Sequence, residues 1–379
     1  MIKHSISVEL EVLALLSLPE LSKQQVSKIG YLLEKTDFVR LAALVDYNRT
    51  HPCVYKNTNQ YFKSAFPSNL FHTLQSKYYK NKYNTKRQLR VCADLSHRFK
   101  KGSINAHFFK GISLSNMLYR DIALRHNKDI DILIEPPDFA RANEVLNSIG
   151  FFANDYFQLD NKWRKVYLKS NKDITYTNKG GLIIELHFSF TVRNIKELTL
   201  YQVELCRRNT FIQSSISMDE LFYLNWHGAL TLFHRLKWLV DIKLYVEQLD
   251  EDIYKSCYFD DQCNRVMACG LYLLAVIYNQ PMNDALTSLY MKDRVFRMMI
   301  QTCLNGLECP HYSQSAQFNI LRHLFEILAF KNTSYMWESF LTKLRPTFYD
   351  IKDITWLSPK LLFLYYPLRP FLALKRKFF

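Results

Sequence analysis

The chain has 379 residues, with 50 Lys plus Arg against 35 Asp plus Glu and a formal net charge of +15. That length leaves room for two or three domains, each with a core of its own and no need of a metal or disulfide staple. The eight cysteines (53, 92, 206, 257, 263, 269, 303, 309) form no Cys-x-x-Cys pair or zinc-ligand spacing, and no apolar run approaches the length of a membrane-spanning helix, so a disulfide scaffold, a zinc ribbon and a helical membrane protein are excluded.

At the start, Glu9 and Glu11 interrupt the apolar stretch that a signal peptide needs, so a reduced, cytoplasmic setting is expected. Residues 5 to about 90 read as helical: in "LSKQQVSKIGYLLEKTDFVRLAALVDYNRT", Val26, Ile29, Leu32 and Leu33 recur at helical intervals. From Lys77 to Lys101 there are nine basic residues against the single Asp94, with Tyr78, Tyr79 and Tyr83 interleaved. Such a stretch suits an anionic partner, including a polynucleotide held by phosphate contact and stacking, and equally suits a solvated helix face.

From about 95 to 195 short apolar runs alternate with helical patterns, the mark of an α/β or α+β unit. "INAHFF" (104–109) reads as a strand, and Ser113 can cap a helix with Leu114, Met117 and Leu118 on one face. "DIDILI" (129–134) is a second strand, followed from Asp138 by a helix that ends at Gly150. "RKVYLK" (164–169) and "GLIIELHF" (181–188) predict further strands, the latter after a turn at Asn178, Lys179 and Gly180.

Beyond Ser217 and Glu220, which form a capping-box pattern, "LFYLNWHGALTLFHRLKWLVDIKLYVEQL" predicts one long helix or two joined ones. His227 and His234 lie seven apart along it, as ligands or as hydrogen-bonded core residues. The last segment, "WLSPKLLFLYYPLRPFLALKRKFF", is apolar and aromatic with a basic end, and Pro359, Pro367 and Pro370 forbid one straight helix. It suits the headgroup region of an anionic membrane, with Tyr365, Tyr366 and Phe371 inward and Lys375, Arg376 and Lys377 on lipid phosphates; packing on the protein's own helices is the alternative.

Two aspartates one residue apart on a strand share a face, about 6.5 Å apart at Cα, while Ile130, Ile132 and Ile134 take the other face. Paired carboxylates of this kind repel unless a cation lies between them, and hard divalent ions such as Mg²⁺ or Mn²⁺ suit oxygen ligands. "LIIELHF" repeats the design, with Glu185 and His187 on the face opposite Leu182, Ile184 and Leu186. If the two strands are neighbours, Asp129, Asp131 and Glu185 make a three-carboxylate cluster able to hold two metals about 3.5–4 Å apart for phosphoryl or nucleotidyl transfer. His187 is a candidate general base or a structural histidine.

In order and type, "FFKGISLSNMLYRDIALRHNKDIDILI", "ELHF" and "NWHGALTLFHRLKWLVDI" resemble the uncharacterised bacterial nucleotidyltransferase-like proteins of the polymerase-beta nucleotidyltransferase superfamily. The resemblance implies an α+β nucleotidyltransferase-fold mixed sheet with helices, flanked by N-terminal and C-terminal helical regions. It implies that Asp129 and Asp131 are metal ligands, that Glu185 is the third acid, and that Lys110, Gly111 and Ser113 lie in a phosphate-facing turn. Arg125 matches an arginine of that family, as a triphosphate contact or a neutraliser of Asp129. Arg235, Lys237 and Asp241 match its Arg-Leu-Lys-Trp…Asp stretch, with Arg235 on the nucleotide and Asp241 fixing it by an ion pair. The turn here reads Gly-Ile-Ser rather than Gly-Ser and the spacing to Asp129 is longer than in minimal members, which implies a different nucleotide grip.

The expected layout is a helical region over 1–92, the nucleotidyltransferase-like core over 93–200, a helical domain over 201–300 and a helical C-terminal region over 301–379. The expected activity is Mg²⁺- or Mn²⁺-dependent transfer of a nucleotidyl group from a nucleoside triphosphate to an acceptor hydroxyl or phosphate, in the cytoplasm or at the inner face of the membrane. Two other readings fit the same residues. One is an Asp-x-Asp glycosyltransferase that uses a nucleotide-sugar. The other is a catalytically silent adaptor that binds an anionic surface through 77–101 or the tail.

Overall fold

Isoleucine at every second position buries one face of the strand Ile130–Ile134 (β2) and makes it the centre of a four-stranded mixed sheet. Ala106–Phe109 (β1) pairs with β2 antiparallel, and β2 pairs in parallel with Ile183–His187 (β4). Asp173–Thr177 (β3) closes the other edge, antiparallel to β4, in the order β1-β2-β4-β3. This computed structural model describes residues 6–191, 195, 198–199, 202, 205, 216–249, 264–280, 282 and 284–378. With its small sheet and its many helices the fold is α+β, as expected.

β3 and β4 form a hairpin whose turn lies where the sequence places it. The Asn178 side chain accepts the Leu182 N–H at 2.9 Å, and Gly181 takes φ +74°, a conformation that favours glycine. The strand expected over 164–169 is instead part of a helix, Asn161–Ser170. Its cap explains the difference: the Asp160 side chain accepts the backbone N–H groups of Lys162 and Trp163, both at 2.9 Å. Trp163, Val166 and Tyr167, at i, i+3 and i+4, then give the helix an apolar face.

The chain divides into two compact units, each assembled from three separate segments. The sheet unit comprises residues 88–110, 128–213 and 337–379. Beside the sheet it has a second core in which Leu159 and Trp163 meet Ile351, Ile354, Leu357 and Tyr365. Tyr365 is therefore buried within the protein, not directed toward a membrane, because the last helix, Tyr365–Phe378, docks through it on this core. In the same unit Trp337, Tyr349, Trp356, Phe363, Tyr366 and Phe371 are exposed. The tail is not one straight helix, as expected, because a 3-10 segment, Pro359–Leu364, precedes the last helix; Pro367 and Pro370, however, lie within that helix and do not break it. The side chains of Lys375, Arg376 and Lys377 lie outside the described residues.

The helical unit comprises residues 1–87, 111–127 and 214–336. The long helix Ser68–Lys101 carries the whole basic stretch, with residues 68–87 counted in this unit and 88–101 in the sheet unit. The segment after Ser217 forms two helices, Met218–Leu230 and Leu236–Val246. Leu232 and Phe233 take positive φ in the break, and a Cβ on Gly228 would stand 2.0 Å from the Phe233 ring, so only glycine admits this turn. His227 and His234 pack edge-on against Trp238, with ring centroids at 5.5 and 4.9 Å, and the Nδ1 of His234 lies 2.7 Å from the Thr231 carbonyl oxygen. Cys53, Cys92, Cys269 and Cys303 are free and buried and Cys309 is free and exposed; Cys206, Cys257 and Cys263 lie outside the described residues. Among the described residues no helix is long and apolar enough to cross a membrane.

Candidate metal centre on the sheet

The backbone ladder sets out the site. Phe109, Asp131, Glu185 and Thr175 are successive Cα partners across β1, β2, β4 and β3. In the next row of the same face, His187 partners Leu133 on β2 and Asp173 on β3. Asp131 and Glu185 thus come from neighbouring strands in register, and His187 stands two residues along from Glu185.

Side chains converge accordingly. His187 Nε2 lies 3.1 Å from Asp131 Oδ1 and 3.5 Å from Glu185 Oε2, and its Nδ1 lies 3.5 Å from Asp173 Oδ2. His187 is 0% exposed and Asp131 7%, whereas Glu185 and Asp173 reach solvent in part. Donor atoms of Asp131, Glu185 and His187 all lie within 4.8 Å of one another. The Phe109 ring covers His187 edge-on at 5.0 Å and touches Phe190 at 5.2 Å, which walls the imidazole off on an apolar side.

Burial alone would push the Asp131 carboxyl up. Lys110, the hydrogen bond and charge of His187, and Lys172 outweigh it and hold that carboxyl well below the usual range. Asp131 therefore stays ionised although buried, the state that a metal ligand requires. Lys110 itself has a left-handed backbone, φ +51°, unusual for a side chain with a Cβ, and its ammonium lies 5.3 Å from the Phe109 ring centroid.

The other residues singled out in the sequence fall elsewhere. Asp129 precedes β2 and does not belong to the donor group, whose third member is His187. Gly111 and Ser113 open the helix Gly111–Tyr119 of the helical unit, with Gly111 at φ +39° and Ser113 buried. Arg125 is buried in the same unit and forks onto Asp241, so Asp241 holds Arg125 and not Arg235. Arg235 caps the helix Leu236–Val246; its Nε is buried without a hydrogen-bond partner, and burial, with Arg49 close by, lowers its pKa. Sequence reasoning missed Asp173. Its only signal was the alternation in "DITYT", which becomes informative once the turn at 178–181 is seen to fold that segment back on Glu185 and His187.

A model of the family described as uncharacterised nucleotidyltransferase matches residues 34–282, more than half of the chain. The chain belongs to this family. No curated protein and no solved structure is detectably similar to it. As a member of a nucleotidyltransferase family the protein has a nucleotide substrate implied, and the sheet with Asp131, Glu185 and His187 lies within the matched span.

The donor set fits a divalent cation. Two carboxylates and an imidazole converge from a rigid ladder, the buried carboxyl is held ionised, and at 4.8 Å or less the donor atoms can share one ion.

Proposed function

We propose that the protein is a metal-dependent nucleotidyltransferase that moves a nucleotidyl group from a nucleoside triphosphate to an acceptor hydroxyl or phosphate. One observation carries this reading: Asp131 and Glu185 stand in register on adjacent parallel strands with His187 between them and Asp173. A bound divalent cation supplies neutralisation of the charge that develops on the transferring phosphoryl group and eases deprotonation of the attacking hydroxyl. Asp131 and Glu185 offer the oxygen donors, with Asp129 at the start of the same strand as a further acid. Lys110 places a cation where it already acts on Asp131, suited to a phosphate oxygen that bridges to the site. The Phe109 and Phe190 rings keep water from the back of His187. Gly111, Ser113 and Arg235 remain candidate nucleotide contacts of the helical unit, and Arg125 acts there through its pair with Asp241.

Thermal unfolding with each nucleoside triphosphate and a UDP-sugar, with and without Mg²⁺ or Mn²⁺, tests the reading. A metal-dependent rise with a triphosphate that disappears in Asp131→Asn is expected, worth about 2.7 kcal/mol at a hundredfold excess over the dissociation constant. A rise with the UDP-sugar alone favours the glycosyltransferase. No rise with any ligand favours the silent adaptor.

A second reading concerns location. The 337–371 region exposes Trp337, Trp356 and Phe371 at 63, 71 and 69%, and residues 337–379 contain eight Lys and Arg against three acids. Indole and phenyl rings beside cations match the headgroup layer of an anionic bilayer, with apolar area and charge acting together. Co-sedimentation with phosphatidylglycerol vesicles, lost in a Trp337→Ser, Trp356→Ser, Phe371→Ser triple variant and absent with phosphatidylcholine vesicles, is the expected result. Equal sedimentation of variant and wild type would remove this reading.

A further inference from the structure

The imidazole of His187 has a carboxylate on each ring nitrogen. Nε2 faces Asp131 and Glu185 at 3.1 and 3.5 Å, and Nδ1 faces Asp173 at 3.5 Å. Asp173 is the ladder partner of His187 across β3 and β4, so backbone pairing sets that approach. Lys172 holds the same Asp173 oxygen, Oδ2, at 3.2 Å, and so fixes the carboxylate from its other side.

His187 Nε2 is hydrogen-bonded to Asp131 at 3.1 Å, and Asp173 faces Nδ1 from 3.5 Å. A divalent cation bound among Asp131, Glu185 and Nε2 would displace the proton of that hydrogen bond, and Asp173 would then face the protonated Nδ1. Metal-binding histidines show this arrangement: one nitrogen ligates and the other donates to a carboxylate that fixes the tautomer and raises basicity. We propose that His187 Nε2 is the nitrogen ligand of this centre, with Asp173 as its positioning residue, and that the centre therefore takes Mn²⁺ in preference to Mg²⁺.

The inference rests on the reading of Asp131 and Glu185 as metal donors and adds to it the ion's chemistry. Mg²⁺ demands oxygen ligands and near-ideal octahedral geometry, and it dehydrates reluctantly. Imidazole nitrogen binds first-row transition ions in preference to Mg²⁺, and among them the two carboxylates and room for phosphate oxygens suit Mn²⁺.

The deciding experiment is Mn²⁺ binding to the full chain followed by pulsed electron paramagnetic resonance, with the protein grown on ordinary and on ¹⁵N-labelled histidine. Expected is a ¹⁴N modulation from a directly bound imidazole that changes to ¹⁵N on labelling, together with at least a tenfold preference for Mn²⁺ over Mg²⁺ in competition. In His187→Gln the nitrogen signal is lost and the preference collapses. In Asp173→Asn the signal persists while Mn²⁺ affinity falls about tenfold or more. Bound Mn²⁺ without histidine nitrogen coupling in the wild type overturns the role of His187 and leaves Asp131 and Glu185 as ligands. Failure of the wild type to bind Mn²⁺ at all overturns both this inference and the metal-dependent reading beneath it. The wild-type spectra decide the ligand even if a variant fails to fold.

Discussion

Arg125 closes one edge of its guanidinium on Asp241, Nε donating to Oδ1 at 2.9 Å and Nη2 to Oδ2 at 2.8 Å with both side chains buried, while its Nη1 donates to Asn127 and the Tyr119 hydroxyl donates to the Asp241 carboxylate at 2.8 Å. Removal of one partner leaves the other charge buried without its counterion. Asp241→Ala is therefore expected to cost about 3–5 kcal/mol, and Arg125→Lys, which keeps the charge and loses the fork, an intermediate amount. Urea unfolding measures both, and a loss under about 1 kcal/mol for Asp241→Ala would show that the pair does not hold the helical unit together.

Three histidines of the helical unit make it sensitive to acid. Burial, aided by nearby cations, lowers His51 to about 4 and His126 to about 3; for His234, lowered to about 4, burial also leads, against a backbone hydrogen bond that raises it. Lys77 and Arg49 lower His51 further while Asp46 opposes them, and the His51 and His126 rings meet edge-on at 5.2 Å. Each has a folded pKa below the ordinary 6.5, so the unfolded chain takes up the proton first as pH falls. Their contribution is complete above about pH 6.5 and is lost as pH falls toward about 4, by about 3 kcal/mol for His51 alone. Unfolding free energies at pH 7 and about 4.5 should differ less in His51→Gln than in wild type. An unchanged difference would count against a neutral buried His51.

Gly228→Ala puts a methyl group into the Phe233 ring, since its Cβ would lie 2.0 Å from that ring. The expected loss is about 1–3 kcal/mol, read as a lower Tm. Because Phe233 is the obstacle, adding Phe233→Leu to Gly228→Ala should recover part of that loss. Simple addition of the two single losses would place the strain elsewhere.

Trp163→Ala empties the centre of the second core of the sheet unit, where Trp163 is 1% exposed among Leu159, Ile351, Ile354 and Tyr365. Truncations of this size cost about 3–5 kcal/mol. Amide exchange over residues 351–365 should accelerate with it, because those amides belong to helices that dock on the lost ring. Protection of 351–365 at wild-type levels in the variant would contradict that docking.

Much of the sheet was legible because its signal is local. Isoleucine alternation marked β2, and Asn178, Lys179 and Gly180 marked the turn ahead of β4. The pairing of Asp131 with Glu185 followed from two strands with acids in mid-sequence once they were taken as neighbours. What failed was decided by partners far away in sequence. "RKVYLK" alternates as a strand does, but the Asp160 cap and the Ile351–Tyr365 core give it a helix. Asp173 is a polar residue in a Lys- and Asn-rich stretch, and it acquires significance only through the register that places it opposite His187. Arg125 and Asp241 are 116 residues apart, and their pairing has no local signature.

The second core of the sheet unit is closed by residues 351–365. Trp163 stays without its cover until residues 351–365 have left the ribosome, nearly two hundred positions later, so this core cannot be completed while most of the chain is still being made. During synthesis the helix that carries Trp163 exists before the segment that covers it, and its apolar face, with Val166 and Tyr167, is exposed to chaperones and to other nascent chains for that interval.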